Sequence, residues 1–212
     1  MSEQISDNPI ITKLSCAFIE GHSRYLRAHI DSDFKNEILI PLRSALREYE
    51  MNEKDLYSGD LYTDSQHFLL RLRSVSLLVE GFYWIGSYKE GEIELQKYVQ
   101  IEKILKTSSN KDINQIVLDL SLLPQMSGAA SLLRNLAKRK REFIEIKKRL
   151  VRELIRIGVN MAVIFHYGSH NYDEASLVLE ICRKLAEEIS SDDSYPYGLF
   201  GQIDYFTACC WR

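Results

Sequence analysis

Proline and glycine are scarce in this sequence, at four and ten residues of 212. Turn-rich all-β folds need more of both, so the shortage points to long helices joined by few breaks. Cysteine is scarce too. Cys16, Cys182 and the adjacent Cys209 and Cys210 form no C-x-x-C spacing, and a secreted disulfide scaffold would be shorter and richer in cysteine. They read as reduced, mostly buried thiols of a cytoplasmic protein. The N-terminal MSEQISDNPII lacks the basic and apolar regions of a signal peptide. No run of about 18 apolar residues is present, so no transmembrane helix is expected. Gly81, Gly86 and Gly91 lack the Lys-Ser ending of a phosphate loop, and neither G-x-S-x-G nor a Cys/His triad spacing occurs. No catalytic, cofactor or metal site is expected, and an interaction module is a better expectation than an enzyme.

What is present is helical. Apolar residues make up 45% and charged residues 27% of the chain, ordinary values for a globular protein. Asn8-Pro9 pairs a capping residue with a first-turn proline, opening a helix with Ile11, Leu14, Phe18, Tyr25 and Ile30. Gly21 interrupts it, and Asp31-Ser32-Asp33 ends it. The next helix carries Ile38, Leu39, Leu42, Ala45, Leu46 and Tyr49, and Pro41 inside it should kink or split it. Asn52 to Asp64 reads as a loop, and Thr63-x-x-Gln66 as a capping box. Phe68, Leu69, Leu72, Val75, Val79, Phe82 and Tyr83 follow at helical steps. Beyond a turn at Gly86-Ser87 lies a partner helix with Tyr88, Ile93, Leu95, Tyr98, Ile101 and Leu105.

Asp112 caps a short helix ending near Leu123-Pro124. Leu132 to His166 reads as one long helix, because Leu136, Phe143, Leu150 and Ile157 recur every seven residues. Helices over Tyr172 to Ile189 and Tyr197 to Trp211 complete the chain. About eight helices and no strand result, as stacked antiparallel pairs in one all-α domain over residues 1–212. That domain is either whole or the N-terminal part of a longer array. The last helix, with Leu199, Phe200, Ile203, Tyr205, Phe206 and Trp211, needs a cover: more chain, or a second copy in a homo-oligomer.

Two stretches superpose with an offset of 84 residues. Val79, Phe82, Tyr83, Tyr88, Gly91 and Leu95 meet Val163, His166, Tyr167, Tyr172, Ala175 and Leu179. The shared sense is an apolar helix, an aromatic near its end, a turn, a tyrosine, a small residue and a leucine. This resembles the tetratricopeptide repeat, most clearly over Tyr167 to Ala175. In that family the small residue, here Ala175 or Gly91, lets two helices approach closely, and the aromatic, here Tyr172 or Tyr88, packs under the turn. The offset is not a multiple of the usual period of about 34 residues, and no proline closes either unit. The resemblance implies an α-solenoid whose surface binds a peptide or partner domain.

Charge is uneven. Arg134 to Arg156 holds ten basic and three acidic residues, against a net charge of −3 for the whole chain. Arg134, Lys138, Arg139, Lys140, Arg141, Lys147, Lys148, Arg149 and Arg152 would form one basic helix face, able to attract phosphate or an acidic partner. The plainer reading is a solvated face partly neutralised by Glu142 and Glu145. Nucleic-acid readers usually interleave aromatics, and only Phe143 is available here. Arg24 and His29 fit the R-x4–6-H spacing of HEPN-domain ribonucleases, in which the pair acts on the RNA 2′-hydroxyl and phosphate. Tyr25 follows the arginine, where that family often has a polar residue. His166 and His170 are four apart, but Gly168 should end the helix between them. Cys209-Cys210 reads as core rather than as a redox pair.

The function expected is a protein-protein interaction scaffold, with Tyr83, Tyr167, Arg134, Lys138, Arg141, Lys148 and Arg152 as partner-binding residues. The alternative is an RNA-acting protein using the basic helix over 134–152, or Arg24 and His29.

Overall fold

The computed structural model describes residues 8–26, 33–96, 104–105, 107, 112–189 and 197–210. Nine α-helices and no strand occur among them: α1 Pro9–Leu26, α2 Ile40–Leu56, α3 Leu61–Trp84, α4 Tyr88–Gln96, α5 Ile113–Leu120, α6 Ala130–Lys138, α7 Ile144–Tyr167, α8 Tyr172–Ile189 and α9 Tyr197–Cys210. None is long and apolar enough to cross a membrane. His29, Tyr98, Ile101 and Trp211 lie outside the described residues.

Several ends follow local chemistry. The Asn8 side chain accepts from Ile10 N at 3.0 Å, and that of Asp112 from Asn114 N and Gln115 N at 2.8 and 2.9 Å. Pro41 lies just after a change of helix type, with no break in the helical backbone from Phe34 to Leu56. A π-helical segment, Lys35–Leu39, precedes α2, and the proline sits in the first turn of α2, where its missing N–H costs least. Gly21 does not interrupt α1. It lies within the helix, where an added Cβ would stand 2.8 Å from Ile38 and 3.2 Å from Leu77.

Three sequence readings need correction. The loop before α3 is short, because α2 continues to Leu56. The cap of α3 is Asp60, whose carboxylate accepts from Thr63 N at 2.9 Å; Thr63 and Gln66 do not form a capping box. Asp64 reaches back instead, accepting from Ser58 N and Gly59 N at 2.8 and 2.9 Å. Leu132 to His166 is not one helix. It breaks between α6 and α7 at Phe143, whose φ of 56° is left-handed. The cause is Lys147. Its ammonium is fully buried and donates to Asn114 Oδ1 at 2.6 Å and to the carbonyls of Arg139 and Lys140 at 2.8 and 3.3 Å. A continuous helix would have tied up those carbonyls. The seven-residue apolar spacing therefore spans two helices.

The 84-residue offset also relates features of the backbone. α3 and α7 are each 24 residues long. Among the described residues the four with left-handed φ are Gly59, Gly86, Phe143 and His170, which form two pairs at the same offset. Gly86 closes α3 as a Schellman turn, with Ser87 N bonded to Phe82 O at 2.8 Å and Gly86 N to Tyr83 O at 2.9 Å. The copies also touch at equivalent positions. Asn160 Nδ2 donates to Ser76 O at 3.4 Å, and the Tyr83 and Tyr167 rings lie 5.5 Å apart. With Arg73 Nε 3.3 Å from Glu153 Oε1, partner numbers rise together, so α3 and α7 run parallel.

α3 and α7 are the spine. α1 and α2 pack on α3, α8 and α5 on α7, and α9 across α8 and α7. α4 contacts both long helices, and Gly91 admits Ile164 Cδ1 at 3.0 Å from where a Cβ would sit. One apolar cluster runs through all these layers. A buried Arg71 ties α2, α3 and the 3-10 turn Pro124–Met126 together, bonding Glu53 at 3.0 and 3.1 Å and Gln125 O at 2.9 Å.

Candidate binding site at the turn end of the long helices

α3 closes on Glu80-Gly81-Phe82-Tyr83-Trp84 and α7 on Val163 to Tyr167. Because the helices run parallel, both ends and both turns lie on one side of the molecule. Tyr83 and Tyr167 meet there. Tyr88 stacks on Tyr167 at 6.0 Å with 15° between planes. Phe206 of α9 stands edge-on to Tyr83 at 6.0 Å, and Tyr205 edge-on to Phe206 at 5.1 Å. Trp84 Nε1 donates to the Tyr25 hydroxyl of α1 at 3.2 Å. These offset and edge-on pairings are the ones aromatic quadrupoles favour.

The four helices enclose a cavity of about 310 Å³. Tyr25 comes from α1, Glu80, Tyr83 and Trp84 from α3, Val159, Asn160 and Val163 from α7, and Gly201, Gln202, Tyr205 and Phe206 from α9. Trp84 and Tyr205 are 55% and 61% exposed. Among the described residues Glu80 is the one carboxylate in the wall, and no lysine, arginine or histidine lines it. Its half-buried carboxyl shares the cavity wall with the polar side chains of Tyr25 and Asn160. Burial pushes it up to about 7; Arg156 pulls the other way, and Glu153 adds to the rise. Glu80 is thus poised between protonated and ionised forms near neutral pH.

No protein-family model, curated protein or solved structure matches the chain. The site is therefore read from its own chemistry. Beside the cavity, Cys210 Sγ lies 3.6 Å from His166 Nδ1. Burial raises the thiol and lowers the imidazole, which leaves two neutral groups rather than an activated nucleophile. Cys182 is fully buried, its thiol pushed up to about 12. Among the described residues no group of three or more side chains could hold a metal ion. His170 follows the end of α7 instead of sharing its face with His166.

The residues singled out from the sequence fall into two places. Tyr83 and Tyr167 are together at the aromatic end. Arg134 and Lys138 are exposed on α6, and Arg141 on the turn after it. Lys148 and Arg152 are partly buried on α7, Lys148 being 3.6 Å from Glu145. Lys148 and Tyr167 are 19 positions apart on one helix, so roughly 28 Å separates the two groups. Lys147 is not on the basic face, being turned into the core. Arg24 is held by Glu37 at 2.6 Å and lies 5.9 Å from the centre of the Phe34 ring.

The sequence reading missed Glu80, Tyr25, Trp84, Asn160 and the role of Tyr205 and Phe206. One signal was available. Glu80 interrupts the apolar run Leu77 to Phe82, and an acid on a core-bound helix is unusual. The rest depends on four distant segments meeting, which no local pattern reports.

Of the apolar residues in α9, Ile203 is fully buried and Phe200 and Phe206 are partly buried against the core. Tyr205 is exposed, and the side chains of Leu199 and Trp211 lie outside the described residues.

Proposed function

We propose that this protein is an interaction scaffold built from two tetratricopeptide-like hairpins, which binds a segment of a partner protein in the aromatic cavity at their turn end. The observation that carries this reading is the cavity itself, with five aromatic side chains and one carboxylate converging from α1, α3 and α9 over an α7 wall. Binding pockets combine an apolar, aromatic lining with a few placed polar groups in this way. The matched left-handed positions of the two hairpins support a common unit. Selection from a displayed peptide library is the test. Peptides should be enriched whose binding is lost in Tyr205→Ala, a rim residue whose truncation leaves the core intact. If no peptide is enriched on the wild type, or Tyr205→Ala and Phe206→Ala bind all of them unchanged, the reading fails.

A second reading concerns the other end. Arg134, Lys138, Lys140, Arg141 and Arg149 are exposed around the turn between α6 and α7, and this cluster favours a polyanion such as RNA. Its affinity should fall steeply with salt and drop in Arg134→Glu/Arg141→Glu. Binding that is flat with salt refutes it.

A further inference from the structure

We propose that the cavity takes the side chain of a lysine on the partner segment, its ammonium set among the rings of Tyr25, Tyr83, Trp84 and Tyr205 and against the Glu80 carboxylate. This rests on the scaffold reading and names the chemistry of its partner.

Three observations carry it. The first is charge. Among the described residues Glu80 is the only carboxylate in the wall, and no cationic side chain lines it. Arg156, the nearest competing cation in its electrostatic influence on Glu80, is paired with Glu153 at 3.7 Å and does not line the cavity. The second is the aromatic lining. Ring faces carry a negative quadrupole, and several rings around one space attract an ammonium whose water has been removed. The third is shape. About 310 Å³ lies at the small end of ligand cavities, enough for a long side chain but not for a helix or a folded loop. The rim rings of Trp84 and Tyr205 are exposed beyond it. A free amine inside the cavity would leave that rim bare, whereas a peptide backbone crossing the mouth would cover it.

An entering ammonium would also complete the electrostatics of Glu80. Its carboxyl shares the wall with the polar side chains of Tyr25 and Asn160, while burial works against ionisation. A cation at the same depth reverses that balance, since an opposite charge within a few ångströms favours the ionised acid. The apolar stem of a lysine, meanwhile, matches Val159 and Val163 on the α7 wall.

The test uses the full chain and three short peptides that differ only at a central lysine, trimethyl-lysine or norleucine. Trp84 fluorescence and calorimetry follow the titrations. Lysine and trimethyl-lysine should bind about tenfold more tightly than norleucine, the neutral chain of similar shape. Glu80→Gln should reduce that preference to less than about threefold, and Tyr205→Ala should weaken all three peptides. Equal binding of norleucine, or an unchanged preference in Glu80→Gln, overturns the inference, as does no binding by any peptide at about 1 mM. Tetramethylammonium binding as tightly as the peptides would overturn the peptide source. Library peptides that are enriched at this cavity without lysine would leave the scaffold reading standing and remove only this inference.

Discussion

Glu80→Gln should make the protein more stable at neutral and alkaline pH, and change little in acid. The side chain keeps its size and its place in the wall with Tyr25 and Asn160, but the buried charge is gone. The Glu80 carboxyl rises from 4.5 to about 7 on folding, chiefly through burial. A raised acid favours the folded state while protonated, so its contribution is fully present below pH 4.5 and is lost as the pH climbs toward about 7. A shift of that size corresponds to about 3 kcal/mol. Glu80 lines an open cavity and is only half-buried, so solvent screening reduces this to about 1–2 kcal/mol. The assay is urea unfolding of both proteins at a series of pH values. The difference between them should be near zero around pH 4, grow through the interval above it, and level off around pH 8. Other titrating groups cancel in that difference, because Arg156, Glu153 and Tyr25 are common to both chains. Parallel stability profiles, or a gap that widens toward acid, would refute the burial argument and with it the picture of a half-desolvated acid in the cavity wall.

Other perturbations test the frame around the site. Lys147→Met should destabilise by about 2 kcal/mol in urea melts, because the Asn114 side chain and the carbonyls of Arg139 and Lys140 lose their shared donor. Arg71→Met should cost about 3–5 kcal/mol by leaving Glu53 buried and unpaired, and adding Glu53→Gln should recover part of the loss in a double-mutant cycle. His170→Gly should raise the midpoint of thermal unfolding, worth about 1 kcal/mol, since φ at this non-glycine residue is 54°. Gly91→Ala should change stability by less than about 1 kcal/mol, the gain in helix propensity being set against a methyl 3.0 Å from Ile164 Cδ1. Gly81→Ala should cost about 1–3 kcal/mol, because the new methyl would run into Leu39 and lie 3.2 Å from Phe34.

The helical class of this protein is written along the chain. Few prolines and glycines, three- and four-residue apolar steps, and capping residues such as Asn8 and Asp112 act within one or two turns, so the sequence reports them directly. The 84-residue offset was legible too, and Tyr83 and Tyr167, paired by it in the sequence, lie in ring contact in the fold. The single helix expected from Leu132 to His166 shows where local reasoning stops. Its spacing and composition are helical, yet Lys147 is buried against a residue 33 positions earlier, and that long-range bond needs the carbonyls a helix would consume. Lys147 leaves the expected basic face for the same reason, because whether a lysine faces water or the core is decided by what packs above it. Tyr83 and Tyr167 could be nominated from the repeat, but their union with Tyr25, Glu80 and Tyr205 required α3 and α7 to run parallel and α9 to fold back across them. Sequence by itself determined the helical class, because backbone hydrogen bonding and side-chain periodicity are local. Only the tertiary structure decided the cavity, because burial, desolvation of Glu80 and ring-to-ring contact arise between segments far apart in the chain.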